Sequence, residues 1–153
     1  MKLGIIIICH NNESEIDIDH CVQLLHKLTD FKICLVNNNS QDRTFEMLNE
    51  IKERCDNISI VDMKKYKSGN SSIKAGARFM LSQYNLQHIG FIETEKINQY
   101  QNLSDLFKDI KQHKVDISNY NQRPYNSKGI KLTMFQSLFC VIDYLIKGNL
   151  EPQ

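Results

Sequence analysis

The run Leu3-Gly4-Ile5-Ile6-Ile7-Ile8-Cys9 constrains the fold of this chain more than any other stretch. It is rich in β-branched residues and carries no polar side chain. A strand with one wet face alternates apolar and polar residues; a strand without that alternation is covered on both faces, as strands of a parallel sheet are. The run therefore predicts a central strand flanked above and below by helices, which is an α/β layer architecture. The rest of the chain agrees. Ile18, Cys21, Val22, Leu25 and Leu28 recur at helical spacing, and a second strand comes after them over 32–36. Phe45, Leu48, Ile51 and Cys55 mark another helix, with Ser40 or Asp42 placed to cap its free amides. A third strand over 58–61, a loop rich in Lys, Ser, Gly and Asn over 64–72, and a helix over 73–84 come next. The small Ala75, Gly76 and Ala77 allow that helix to lie close on a sheet. A fourth strand over 89–92, a helix over 102–113, a short fifth strand over 115–118 and a loop over 122–128 with Pro124 complete the pattern. Strands and helices in this alternation predict a doubly wound, mostly parallel sheet.

At 153 residues the chain suits a single domain, 1–153, with no separate acceptor domain. Lys plus Arg (19) nearly cancels Asp plus Glu (18), so no global field favours nucleic acid or an acidic membrane, and a charged ligand must be met locally. Five cysteines without a Cys-x-x-Cys pair, spread over strands and helices, read as reduced, buried thiols of a cytosolic protein. The apolar run after Met1-Lys2 is too short for a signal peptide. Residues 132–146 are rich in Met, Phe, Leu and Ile, but a bilayer span takes roughly 20 apolar residues and Asp143 interrupts this one. A C-terminal helix over about 131–147, packed on the sheet, is expected there; a homodimer face or a membrane-surface helix is the alternative. The expected location is cytoplasmic, with peripheral membrane attachment as the variant.

Three polar clusters fall at the carboxyl ends of three proposed strands: His10-Asn11-Asn12-Glu13, Asn37-Asn38-Asn39-Ser40 and Glu93-Thr94-Glu95. Ligands of open α/β sheets bind at those strand ends, and parallel strands bring all three clusters to one edge. Each is weak alone, since Asn is a good turn former with no ligand at all. Their joint placement is more specific. A receiver-type domain would need aspartates after the first strand, where Cys9-His10-Asn11 supplies none, and no Gly-x-Gly-x-x-Gly marks a dinucleotide site.

In this order the clusters resemble the family 2 glycosyltransferases, nucleotide-sugar enzymes of the GT-A fold, a Rossmann-like three-layer sandwich. Asn12 and Glu13 match the family's Tyr-Asn-Glu type element, with Asn11 in place of the aromatic. Val36, Asn38, Ser40, Asp42 and Thr44 match one form or another of the next signature, Val-Asp-Asp or Val-Asp-Asn, then a small residue, Ser, x, Asp, x, Thr; Asn37 stands for its first aspartate. Gly69-Asn70-Ser71-Ser72-Ile73-Lys74-Ala75-Gly76 is loosely similar to a Gly-rich element of the subgroup that acts on polyprenyl phosphate, with Lys74 one position from its arginine. Glu93-Thr94-Glu95 occupies the slot of the Asp-x-Asp motif. Helix 103–110, strand 115–117 and Arg123 resemble the family's helix, short strand and arginine on the C-terminal side of that motif.

The resemblance implies transfer of a sugar from a nucleotide-diphospho-sugar to a glycan or lipid-linked acceptor. It implies nucleotide contacts from Asn12, Glu13, Asn37, Asn38 and Lys74, positive charge from Lys74 or the Lys64-Lys65-Lys67 group, and Mg²⁺ or Mn²⁺ on Glu93 and Glu95. Such transfer also needs a general base, for which the sequence offers no clear residue. Asp143 lies in an apolar pattern, and His10 and His113 read more readily as surface or packing residues. With amides and glutamates where the family has aspartates, the alternative is a catalytically inactive module of the same fold that binds a ligand or a partner.

Overall fold

A computed structural model describes residues 3–29, 31–67, 70–86, 88–94, 103–112 and 138–140. In chain order these form β1 (Leu3–Cys9), a 3-10 turn (Glu13–Glu15), α1 (Ile18–Leu25), β2 (Phe31–Asn38), α2 (Thr44–Arg54), β3 (Ile58–Met63), α3 (Asn70–Gln83), β4 (His88–Glu93), α4 (Leu103–Gln112) and β5 (Leu138–Cys140). The five strands make one sheet in the order β3-β2-β1-β4-β5, and every neighbouring pair is parallel. The Leu3–Cys9 strand is central and buried along its whole length, as its lack of alternation requires.

The period-2 geometry of the strands sorts their side chains into two cores. Leu3, Ile5, Ile7 and Cys9 of β1, with Ile33 and Leu35 of β2, pack among Cys21, Leu25, Leu48, Ile51 and Ile110 of α1, α2 and α4. Ile6 and Ile8, with Cys34 and Val36, meet Ile73, Ala77 and Met80 of α3 on the opposite face. The strand order explains why α3 changes sides. From β1 through β3 the chain steps one way across the sheet, then β4 returns to the far side of β1; a right-handed crossover in the reversed direction lands on the other face. Gly76 lets α3 sit close, since a Cβ there would lie 2.9 Å from Ile6 Cγ2 and 3.0 Å from Val36 Cγ2.

One expectation is corrected. Where a helix over about 131–147 was expected, Leu138–Cys140 is a strand that pairs with β4 in the register Ile89↔Leu138, Gly90↔Phe139 and Phe91↔Cys140. An apolar run of this kind satisfies a strand as well as a helix, and the free edge of β4 decides between them. The strand expected over 115–118, and the remainder of 131–147, lie outside the described residues. No helix among the described residues is long and apolar enough to cross a membrane.

Candidate functional site

The order in which the chain adds strands reverses between β1 and β4, so the carboxyl ends of these parallel strands flank the position where open α/β folds place ligands. Backbone register lines up the edge. Cys9, Asn37 and Asp62 form one row, and Ile8 stands opposite Glu93 in the row before it.

The three asparagines at the end of β2 perform three different tasks. Asn37 and Asn38 are the last residues of the strand and are 3% and 2% exposed. Asn37 donates from Nδ2 to Asp62 Oδ1 (2.8 Å), and its Oδ1 lies 3.4 Å from Ser40 N. Asn38 clamps the backbone of Lys67 twice, donating to its carbonyl (2.8 Å) and accepting from its N–H (3.0 Å). Asn39 supplies conformation, with φ 53°, a left-handed geometry that Asn tolerates better than most residues.

The loop after β1 is tied to the loop after β2 through consecutive backbone amides. Asn11 N donates to Ser40 Oγ (3.0 Å), Asn12 N to Thr44 Oγ1 (2.7 Å) and Glu13 N to Asp42 Oδ2 (3.1 Å). In return Gln41 N donates to Asn11 Oδ1 at 2.8 Å. Asn11 has φ 52°, a second left-handed asparagine, and its side chain braces the neighbouring turn. Of the two expected caps of α2, Asp42 serves that helix: its Oδ1 accepts from Thr44 N (2.9 Å) and from the Thr44 hydroxyl. Ser40 instead receives Asn11. Burial works against ionisation of Asp42, but the hydrogen bonds from Thr44 and Glu13 outweigh it and hold the carboxyl below its ordinary range.

Asn12 joins this pair of loops to β4. Its Oδ1 accepts from His10 N (2.7 Å) and lies 3.0 Å from Thr94 Oγ1, whose hydroxyl is also 2.8 Å from Ile8 O. Its Nδ2 donates to Glu15 Oε2 at 2.7 Å. Thr94, the middle of the Glu-Thr-Glu element, is thus fixed against the first strand. The structure brings together Asn12, Glu13, Asn37 and Asn38, and sets half-buried Glu93 at the end of the adjoining strand. The amides of Asn12, Asn37 and Asn38 are engaged within the protein. Lys74 is half-buried on the second turn of α3, apart from this knot of loops in sequence and element. Glu95, Gly69, Arg123, His113 and Asp143 lie outside the described residues. Among the described residues no three His, Cys, Asp or Glu side chains assemble as a metal site.

Two residues that the sequence reading passed over belong to the edge. Asp62, on β3 beside Asn37, also accepts from Lys64 Nζ at 3.0 Å. Burial raises its pKa, yet the bonds from Asn37 and Lys64 prevail and leave it lowered. Its signal was available, since it is the first polar residue past the strand expected over 58–61. Tyr66, 45% exposed, leans on His10 with ring centroids 4.7 Å apart and planes tilted by 57°. Its signal was an aromatic set among Lys64, Lys65 and Lys67.

A doubly wound parallel sheet with three strand-end loops interlocked at its switch point defines the α/β class of domain whose ligand crevice, where there is one, opens at this edge. The chain matches the model of the glycosyl transferase family 2 over residues 4–146 and belongs to that family. No curated protein matches the sequence. Among solved structures, it is similar to S. aureus TarS residues 1–349, with TM-score 0.46 and 20% identity over 74% of this chain and 33% of that one. The same TarS fragment in complex with UDP gives TM-score 0.48, 20% identity, and 74% and 33% coverage. In complex with UDP-GlcNAc it gives 0.48, 20%, 74% and 32%. The chain spans about one third of the length of these TarS structures.

Proposed function

We propose that residues 1–153 act as one nucleotide-sugar-binding domain that presents a nucleotide-diphospho-sugar for transfer to a glycan or lipid-linked acceptor. The observation that carries this reading, beside the family, is the Asn12 knot: one side chain ties the β1 loop to Thr94 at the end of β4, while its backbone ties it to the β2 loop. Such cross-bracing makes a rigid shelf from three strand ends, and preorganised donors and acceptors are what charge-developing transfer reactions use. On this reading Asn12, Asn37 and Asn38 shape the shelf, while Glu13, Asp62 and the Lys64, Lys65, Lys67 and Lys74 side chains offer charge to the nucleotide. Glu93, with Glu95 two residues further along the chain, would hold Mg²⁺ or Mn²⁺ through carboxylate oxygens. The ion, when bound, would neutralise charge on the leaving nucleotide.

A second reading, binding without transfer, is favoured by one specific observation. At Asn37, where the family usually carries an aspartate, an amide donates to Asp62. Thermal-shift and calorimetric titrations with UDP, GDP and their sugar conjugates, with and without Mn²⁺, test both. Metal-dependent stabilisation that disappears in Glu93→Ala, together with turnover of the sugar conjugate, supports the transferase. Binding without turnover supports the module, and silence toward every nucleotide rejects both.

A further inference from the structure

We propose that Tyr66, backed by His10, is the platform on which the nucleobase of the bound nucleotide stacks; this rests on the nucleotide-binding reading above. Among the described residues Tyr66 is the large hydrophobic side chain that stands exposed, at 45%. Its position is held by a specific device.

That device is Asn38. Its side chain clamps both backbone groups of Lys67, at 2.8 and 3.0 Å, and so fixes the loop that carries Tyr66. Its own carbonyl lies 2.7 Å from His10 Nδ1, which fixes the imidazole as well. The outer nitrogen, His10 Nε2, meets Asn11 Nδ2 at 3.2 Å, so the ring cannot swing away from the tyrosine without breaking two contacts. One buried residue at the end of β2 therefore sets both rings, 4.7 Å apart, at the carboxyl edge of the sheet.

The neighbouring residues explain why the aromatic surface comes from the β3 loop. Asn11 has the left-handed φ of 52° and spends its side chain on Gln41 N and His10 Nε2, so the β1 loop offers only the small imidazole of His10, and the larger ring beside it is Tyr66. Asp62, near the end of β3, and Lys64, at the start of the loop that carries Tyr66, bring a carboxylate and an ammonium group, 3.0 Å apart, to the same strand end. A flat, sequence-tolerant π surface is the usual means of holding a base, and removing such a ring by alanine weakens binding about 5- to 150-fold per stacked base.

The experiment uses the full chain, Tyr66→Ala and Tyr66→Phe. Calorimetric titration with UDP and GDP is expected to show a loss of about 5-fold or more in Tyr66→Ala, and near-native affinity in Tyr66→Phe, which keeps the ring. Circular dichroism and the melting temperature of both variants should match the parent, because the side chain lies on a surface loop. In a tyrosine-labelled sample, the ring protons of Tyr66, assigned by their disappearance in Tyr66→Phe, should shift upfield on UDP addition through the ring current of the base. Unchanged affinity in Tyr66→Ala, or unmoved Tyr66 resonances at saturating UDP, overturns the assignment while leaving nucleotide binding intact. Failure of the parent chain to bind any nucleotide overturns the nucleotide reading itself, and this assignment with it.

Discussion

Asn12→Ala should destabilise the fold by about 2 kcal/mol, and the structure says where that figure comes from. Asn12 is 6% exposed, and its side chain serves three partners: His10 N, Thr94 Oγ1 and Glu15 Oε2. Their losses are unequal. Glu15 is exposed and recovers water, while the Thr94 hydroxyl keeps Ile8 O at 2.8 Å. The half-buried His10 N–H, however, is left without its 2.7 Å acceptor, at a cost of about 1–3 kcal/mol. Asn12→Asp is the informative companion. It keeps an acceptor for His10 and Thr94 but places a carboxylate at a 6% exposed position against Glu15, so its stability should recover toward that of the parent as acid protonates it. Equilibrium urea unfolding reads both. With an m-value of about 2 kcal/mol/M, the alanine variant should unfold at a midpoint about 1 M lower than the parent. An alanine variant within about 0.5 kcal/mol of the parent, or an aspartate variant that gains nothing relative to the parent in acid, would refute the claim that acceptance from His10 and Thr94 is what Asn12 contributes.

The buried and charged groups lead to three further expected outcomes. Burial lowers the pKa of His88 from its ordinary 6.5, so the folded state prefers the neutral ring; the stability it contributes is complete above about 6.5 and is lost as the pH falls through the lower folded value. Urea midpoints between pH 7.5 and 5 should therefore drop more steeply in the parent than in His88→Leu, and parallel slopes would contradict this. For Asp42, whose folded pKa is depressed below 3.8, the linked stability is present above that value and disappears as acid carries the pH through the folded pKa. Acid unfolding of Asp42→Asn, monitored by circular dichroism, should lack that contribution. Burial pushes the thiols of Cys9, Cys21 and Cys34 up to about 12, so native-state alkylation at neutral pH, read by peptide mass spectrometry, should leave them unmodified until denaturant is added.

The sequence made the layers legible because β1 and the helices α1 to α3 announce themselves locally, through unbroken burial or 3.6-residue spacing. Strand ends were less exact. β2 was expected to stop at Val36 and continues through Asn38, so two of the three turn-forming asparagines belong to the strand. The residue types that favour a turn gave way to pairing with Asp62 and Met63 on β3. The Leu138–Cys140 strand was missed because its cause is the distant edge of β4, which no local period records. At the site, the clusters themselves were visible, but their partners were not. Asn37 meets Asp62, Asn38 meets Lys67 and Asn12 meets Thr94 across 25, 29 and 82 residues. Polar residue type predicted which positions would be busy; only the fold determines that their amides are occupied with one another.

The hydroxyl of Thr94 reaches Ile8 and Asn12 across 86 and 82 residues of chain. The units β1-α1-β2-α2-β3 can come together through short connections, but the shelf lacks one wall until β4 has returned past two strands to lie beside β1. Closing so long a loop is entropically slow compared with forming neighbouring units. This edge of the sheet is therefore expected to be among the last features of the molecule to form, and on the proposed nucleotide-binding reading a ligand that spans it binds only finished molecules. Added during refolding, such a ligand would count completed chains, and in excess it would hold β4 in place by mass action.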